Sequence, residues 1–181
     1  MFRAYKAKIT PKTYLVKGNI LEFDGDAIIC PCFTDLTYYK ESKLMKTLME
    51  LAGKDLEREL SSIGFCEVGN AVITKGYDLK VKNIIFLPYK DKENPNEAID
   101  FIFLHKAFRN TFTLATLYGL KRLAIAPIPI GYKKREFFHK TLINLGLERK
   151  EVYLQPHEIT DIAMGILDEY KGEIEELVIY K

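Results

Sequence analysis

Three groups of residues in this chain have types and spacings that could do chemistry. Cys30 and Cys32 stand two apart in Cys30-Pro31-Cys32-Phe33, so on an extended strand both thiols point to one face. A metal would want four ligands, typically from two such pairs. No second pair exists, because Cys66 stands alone and His105, His139 and His157 are scattered. A nucleophilic thiolate would want an electropositive, partly exposed setting. The run Lys133-Lys134-Arg135 would supply one if it met the cysteines in a cleft. The plainer reading is two small core hydrophobes, the usual fate of free cysteine. The basic run could itself face an anionic ligand with charges rather than backbone N–H groups, although most such runs are solvated loops. Tyr38-Tyr39 and Phe137-Phe138 could stack on a base or simply close a core. His105 falls inside a helical pattern with no evident carboxylate partner and reads as structural. No Ser/His/Asp or Cys/His arrangement stands out along the chain.

These residues must be positioned by local structure, and the pattern supplies it. Tyr5–Ile9 and Thr13–Lys17 read as strands, the second opening onto Gly18-Asn19-Ile20. Ala27–Cys30 is a short apolar run of the kind buried on both faces of a sheet. Leu44, Leu48, Leu51 and Ala52 repeat at helical spacing up to Gly53, and Leu56, Leu60 and Ile63 do so up to Gly64. Ala71–Lys75 and Asn83–Leu87 read as strands joined through the turn Gly76-Tyr77-Asp78. Asn94-Pro95-Asn96 signals a helix start, and Phe101, Leu104, Phe108, Phe112 and Ala115 trace one face of a long helix ending at Gly119. Leu123–Ile128 is a second doubly apolar strand. Pro156 opens a helix marked by Ile159, Ile162, Ala163, Ile166, Leu167 and Tyr170, and Leu177–Tyr180 closes the chain as a strand. Asp24 and Asp26 flank Gly25, and Asp26 reads as structural. Strands alternating with helices predict an α/β sheet covered on both faces. Ligands gather at the carboxyl ends of the strands in such sheets, which singles out the loops Gly18-Asn19-Ile20, Cys30–Glu41 and Pro129–Phe137.

Composition narrows the function classes. The 181 residues suit a single domain. Basic and acidic residues number 27 and 25, a net charge of +2, so net charge does not indicate nucleic acid, and any such partner would rest on a local cluster. No apolar run approaches the roughly 18 residues of a membrane span, and the first residues, which mix Lys and Arg with single apolar side chains, do not read as a secretory leader. An odd number of cysteines without framework spacing points to a reduced, cytoplasmic protein. No cofactor is indicated.

In this order the segments resemble the macro domain family, whose members bind ADP-ribose and related nucleotides. "YLVKGNILEFDGDAIIC" is similar to the family's opening strand, Gly-Asp-Ile turn and Asp-Ala-Ile strand. "GNAVITKGYDL" carries its Gly-x-Ala-x-x-Thr-x-Gly-Tyr-x-Leu stretch and is the most specific match. "AFRNTFTLATLYGLKRLAIAPIPIG" resembles its long helix and the strand leading to its second phosphate loop. The resemblance implies a three-layer α/β/α fold with a central mixed sheet, spanning 1–181 as a single domain with an insertion around 140–156.

The departures from the family pattern fall on the ligand site. Where the family has an Asp that accepts a hydrogen bond from adenine, this chain has Asn19, a neutral and weaker acceptor, followed by Ile20 with its backbone N–H. Where the family reads Asn-Ala-Ala-Asn, this chain reads Cys30-Pro31-Cys32-Phe33, and the last family Asn, which faces the distal ribose, becomes an aromatic ring. The glycine-rich loop that lets backbone N–H groups approach a phosphate is replaced by "TDLTYYKES". The second loop keeps Gly131 and Tyr132, then runs into Lys133. The resemblance therefore implies a module for ADP-ribose or a related nucleotide, with Asn19 and Ile20 at adenine, Gly131, Tyr132 and Lys133 at the phosphates, and Cys32 and Phe33 at the ribose end. ADP-ribosyl hydrolysis is disfavoured by Phe33 and by the missing glycines. Three alternatives stay open: a protein-interaction scaffold that has lost the nucleotide, an RNA reader using Tyr132-Lys133-Lys134-Arg135, and a thiol enzyme at Cys30 or Cys32.

Overall fold

The computed structural model describes residues 11–39, 42–94, 101–129, 156–170 and 172–181. The expected first strand at 5–9, the loop residues Gly131 to Phe138, and the expected insertion (apart from the start of the last helix) lie outside them. Six strands form one sheet: β1 (Lys12–Val16), β2 (Ala27–Phe33), β3 (Val72–Lys75), β4 (Asn83–Lys90), β5 (Arg122–Ile125) and β6 (Glu176–Tyr180). Their order is β1-β6-β5-β2-β4-β3, parallel throughout except for β3, which runs antiparallel to β4.

Alternation along the strands builds the two faces. Ile28, Cys30 and Cys32 of β2, Ile84 and Phe86 of β4, and Val178 of β6 turn to one side. There they pack against helices α1 (Lys43–Ala52) and α2 (Lys54–Ile63) through Met45, Leu48, Leu56 and Leu60. Ala27, Ile29, Ile85, Leu87, Leu123 and Leu177 turn to the other side, onto α3 (Phe101–Leu117) and α4 (Pro156–Leu167). The chain is thus a three-layer α/β/α sandwich about a mixed sheet. Phe108 and Phe112 of α3 are fully buried, each worth about 1.5–3 kcal/mol of transfer free energy. Helix α1 starts where the Ser42 hydroxyl accepts from Met45 N at 3.2 Å and stops at Gly53, whose φ of +89° places it in a region that disfavours a side chain.

Asp26 anchors the foot of the sheet. Its carboxylate accepts from the N–H groups of Lys121 and Arg122 at 2.8 and 2.9 Å. Partial burial pushes its pKa up, but those two donors, with Lys82 and the Arg122 charge, outweigh burial and hold it below the ordinary value. Its structural role follows from that geometry.

Three strand ends differ from the sequence expectation. Strand β2 does not stop at Cys30 but continues through Pro31 to Phe33, all seven residues buried. Backbone groups of alternate residues point to opposite neighbours. Ile29 O accepts from Ala126 N on the β5 side, and Thr34 N donates to Lys90 O on the β4 side. Pro31 shares the parity of Ile29, so its missing N–H faces the β5 side, where pairing has ended at Ile29–Ile125. Conversely β5 is shorter than expected and ends at Ile125, ahead of Pro127 and Pro129, though Ala126 and Ile128 remain buried. Strand β4 runs three residues beyond Leu87 to Lys90.

Candidate functional site at the carboxyl edge of the sheet

The chain leaves β2 for β4 on one side and later returns to β5 on the other, so the sheet order reverses between β2 and β5. Such a reversal leaves a crevice at the carboxyl ends of the strands. Around this edge the structure gathers Gly18-Asn19 after β1, Thr34–Tyr39 after β2, Asp91–Asn94 after β4 and Ala126–Pro129 after β5. Helix α1 follows the β2 loop, so its amino end faces the same edge.

Asn19 caps the helical turn Ile20–Glu22, its Oδ1 accepting from Leu21 N at 3.1 Å. The side chain is exposed, and the second lone pair of the amide oxygen is available to a further donor. The Ile20 side chain is buried with Phe23, Ile28 and Val81, which fixes the turn to the α1/α2 face.

Cys32 and Phe33 lie on opposite faces of β2. The thiols of Cys30 and Cys32 are buried beneath α1, and Cys30 Sγ donates to Met45 Sδ at 3.3 Å. Burial pushes the Cys30 thiol up to about 12 and raises Cys32 and Cys66 as well. A thiolate is disfavoured at all three, the reverse of an activated nucleophile. Among the described residues no group of three or more His, Cys, Asp or Glu is placed to hold a metal ion. His105 is exposed on the outer side of α3.

Phe33 is packed at 7% exposure between Tyr38, edge-on at 5.1 Å between ring centroids, and Tyr89 at 5.9 Å. Lys90 Nζ lies 5.9 Å from the Phe33 ring centre and Lys92 Nζ 5.7 Å from that of Tyr38. Tyr39 packs against the α1/α2 core and donates its hydroxyl to Glu57. These tyrosines therefore close the strand end.

The segment standing where a glycine-rich loop was expected to be missing is itself a tied turn. Leu36 N donates to Gly64 O and Cys66 N to Thr34 O, with Asp35 bridged to Phe65. The Asp35 carboxylate accepts from Lys92 Nζ and Thr37 Oγ1, both at 2.6 Å, and from Thr37 N at 3.0 Å. Lys92 and the Thr37 donors hold its pKa at about 2. Sequence reasoning did not single out Asp35, Tyr89, Lys90 or Lys92. The last three lie beyond the expected end of their strand, and the one available signal was the unbroken apolar run from Ile84 through Tyr89. Gly131, Tyr132 and Lys133 lie outside the described residues.

A macro domain family model matches residues 37–137. The chain belongs to the macro domain family. This macro domain is 22% identical over 174 residues to ganglioside-induced differentiation-associated protein 2 of Homo sapiens, covering 96% of the chain and 35% of the relative. It is 29% identical over 136 residues to an uncharacterised protein of Fusobacterium nucleatum, covering 72% of the chain and 77% of that protein. The chain thus spans about a third of the length of the human relative. The crystallised Trypanosoma brucei macrodomain in complex with ADP superposes with a TM-score of 0.67 at 20% identity, covering 93% of this chain and 62% of that one. Its complex with ADP-ribose gives 0.66, with the same identity and coverage. At that identity the likeness establishes the three-layer fold. Among the described residues no helix is long and apolar enough to cross a membrane.

Proposed function

We propose that this macro domain is a binding module for ADP-ribose or a related nucleotide, seated at the carboxyl edge of the sheet, and that it does not hydrolyse ADP-ribosyl bonds. One observation carries the reading. The Gly18-Asn19 turn and the ends of β2, β4 and β5 converge on the crevice where the strand order reverses, in a fold whose solved neighbours include complexes with ADP and ADP-ribose. In this reading the free lone pair of Asn19 Oδ1 accepts from the adenine amino group beside the Ile20 N–H. Gly131, Tyr132 and Lys133 serve the phosphates. Cys32 and Phe33 form the wall of the strand end rather than hydrogen-bonding partners, since a thiol buried beneath α1 and a packed ring offer a ribose no acceptor.

Calorimetric titration with ADP-ribose at low salt, with AMP and ADP alongside, tests this. Micromolar binding that weakens in Asn19→Ala supports the reading. Absence of heat up to millimolar ligand would sink it and leave a protein-interaction scaffold, which the packing of Tyr38 and Tyr89 over Phe33 favours as the second reading.

A further inference from the structure

Lys90 differs from every other described cation. Each other described Lys and Arg is exposed, whereas Lys90 is half-buried. It closes β4, a strand buried from Ile84 to Tyr89. Its ammonium group takes part in none of the ion pairs formed among the described residues. The charged residues that follow it in the chain have contacts of their own. Lys92 is matched by Asp35 at 2.6 Å, Asp91 Oδ1 accepts from Glu93 N at 2.9 Å, and the face presented to Lys90 Nζ is the ring of Phe33. The backbone is fixed too, because Lys90 O accepts from Thr34 N at 2.9 Å and so joins the β2 and β4 ends. A half-buried lysine with no ion-pair partner among the described residues has its charge available to an anion, and its partial burial reduces the solvent screening of such a pair. An aromatic floor restrains the flexible lysine stem and leaves the charged head at the rim.

We infer that Lys90 is an oxyanion seat, the point at which this domain neutralises a phosphate of its ligand. This deepens the nucleotide reading and rests on it for the rest of the ligand, but the seat itself requires only a phosphate. It also gives the carboxyl edge a fixed charge at the end of β2, on the side where glycine-rich backbone is missing. A compact ammonium acts there as a point charge in place of converging N–H groups.

Titration of the full chain with ADP-ribose, adenosine and pyrophosphate, for wild type, Lys90→Met and Lys90→Arg, tests the inference, with Lys75→Met as an exposed control. The expected result is a loss of about tenfold or more for ADP-ribose and pyrophosphate in Lys90→Met. Adenosine affinity should be unchanged, binding should be rescued in part by Lys90→Arg, and Lys75→Met should have no effect. A shallower salt dependence in Lys90→Met is also expected, because one fewer charge meets the anion. Unchanged ADP-ribose affinity in Lys90→Met, with an unchanged melting profile, overturns the seat while leaving the nucleotide reading intact. Pyrophosphate binding that Lys90→Met abolishes, without any nucleotide binding, supports the seat and removes the nucleotide reading. Failure of wild type to bind either ligand overturns both.

Discussion

Replacing Asp35 by Asn should loosen the loop that follows β2, and the size of the effect can be worked from its contacts. The carboxylate holds three donors: Lys92 Nζ at 2.6 Å, Thr37 Oγ1 at 2.6 Å and Thr37 N at 3.0 Å. Asn keeps the shape and still accepts from Thr37, so the loss is the charge. Lys92 and Asp35 are 38% and 25% exposed, which limits their ion pair to about 0.5–1 kcal/mol. Weakening the Thr37 bonds from charged to neutral adds about 1 kcal/mol. A total of ~1.5–2 kcal/mol should lower Tm by about 3–8 °C for a chain of this length. The pH dependence carries the sign. The Asp35 carboxyl is held at about 2, below its ordinary 3.8, so its stabilisation is fully present above about pH 5 and disappears as pH falls through 4 toward 2. Thermal melts of wild type and Asp35→Asn from pH 7 down to pH 2 should therefore converge. Equal Tm values at pH 7, or a gap that persists undiminished at pH 2, would refute the view that this carboxylate latches the loop.

Two other outcomes follow from packing. Cys30 and Cys32 are buried and their thiols raised, Cys30 to about 12, so neither should react with a disulfide reagent at pH 7 in the native protein, while all three cysteines should label on denaturation. Rapid native labelling at Cys32 would contradict its placement beneath α1. Gly76→Ala should destabilise by about 3 kcal/mol or more, because a methyl there would meet Val81 O at 2.0 Å in the turn that Gly76 N–H closes onto Lys82 O. A soluble, fully stable Gly76→Ala protein in a denaturant titration would show that this turn relaxes freely.

What the sequence determined by itself was set by neighbours along the chain. Helical spacing placed Leu48 and Ala52 on the buried face of α1, and Leu104, Phe108, Phe112 and Ala115 on that of α3, because a period of 3.6 residues is a local property. Gly53 and Gly119 marked helix ends for an equally local reason, the positive φ that only glycine takes cheaply. The alternation of strands with helices, the Gly18-Asn19-Ile20 turn and the structural role of Asp26 were legible in the same way or through family resemblance. The tertiary structure alone decided where the strands end. Pro31 reads as a breaker in one dimension, yet it continues β2 because its missing N–H faces the side where β5 has already stopped. It also decided what surrounds the crevice. Asp35 meets Lys92 across 57 residues of chain, and the half-buried Lys90 brings its ammonium over the ring of Phe33, which comes from a different strand. A side chain's burial and its charge partner are set by residues distant in sequence, and no period or motif along the chain records that pairing.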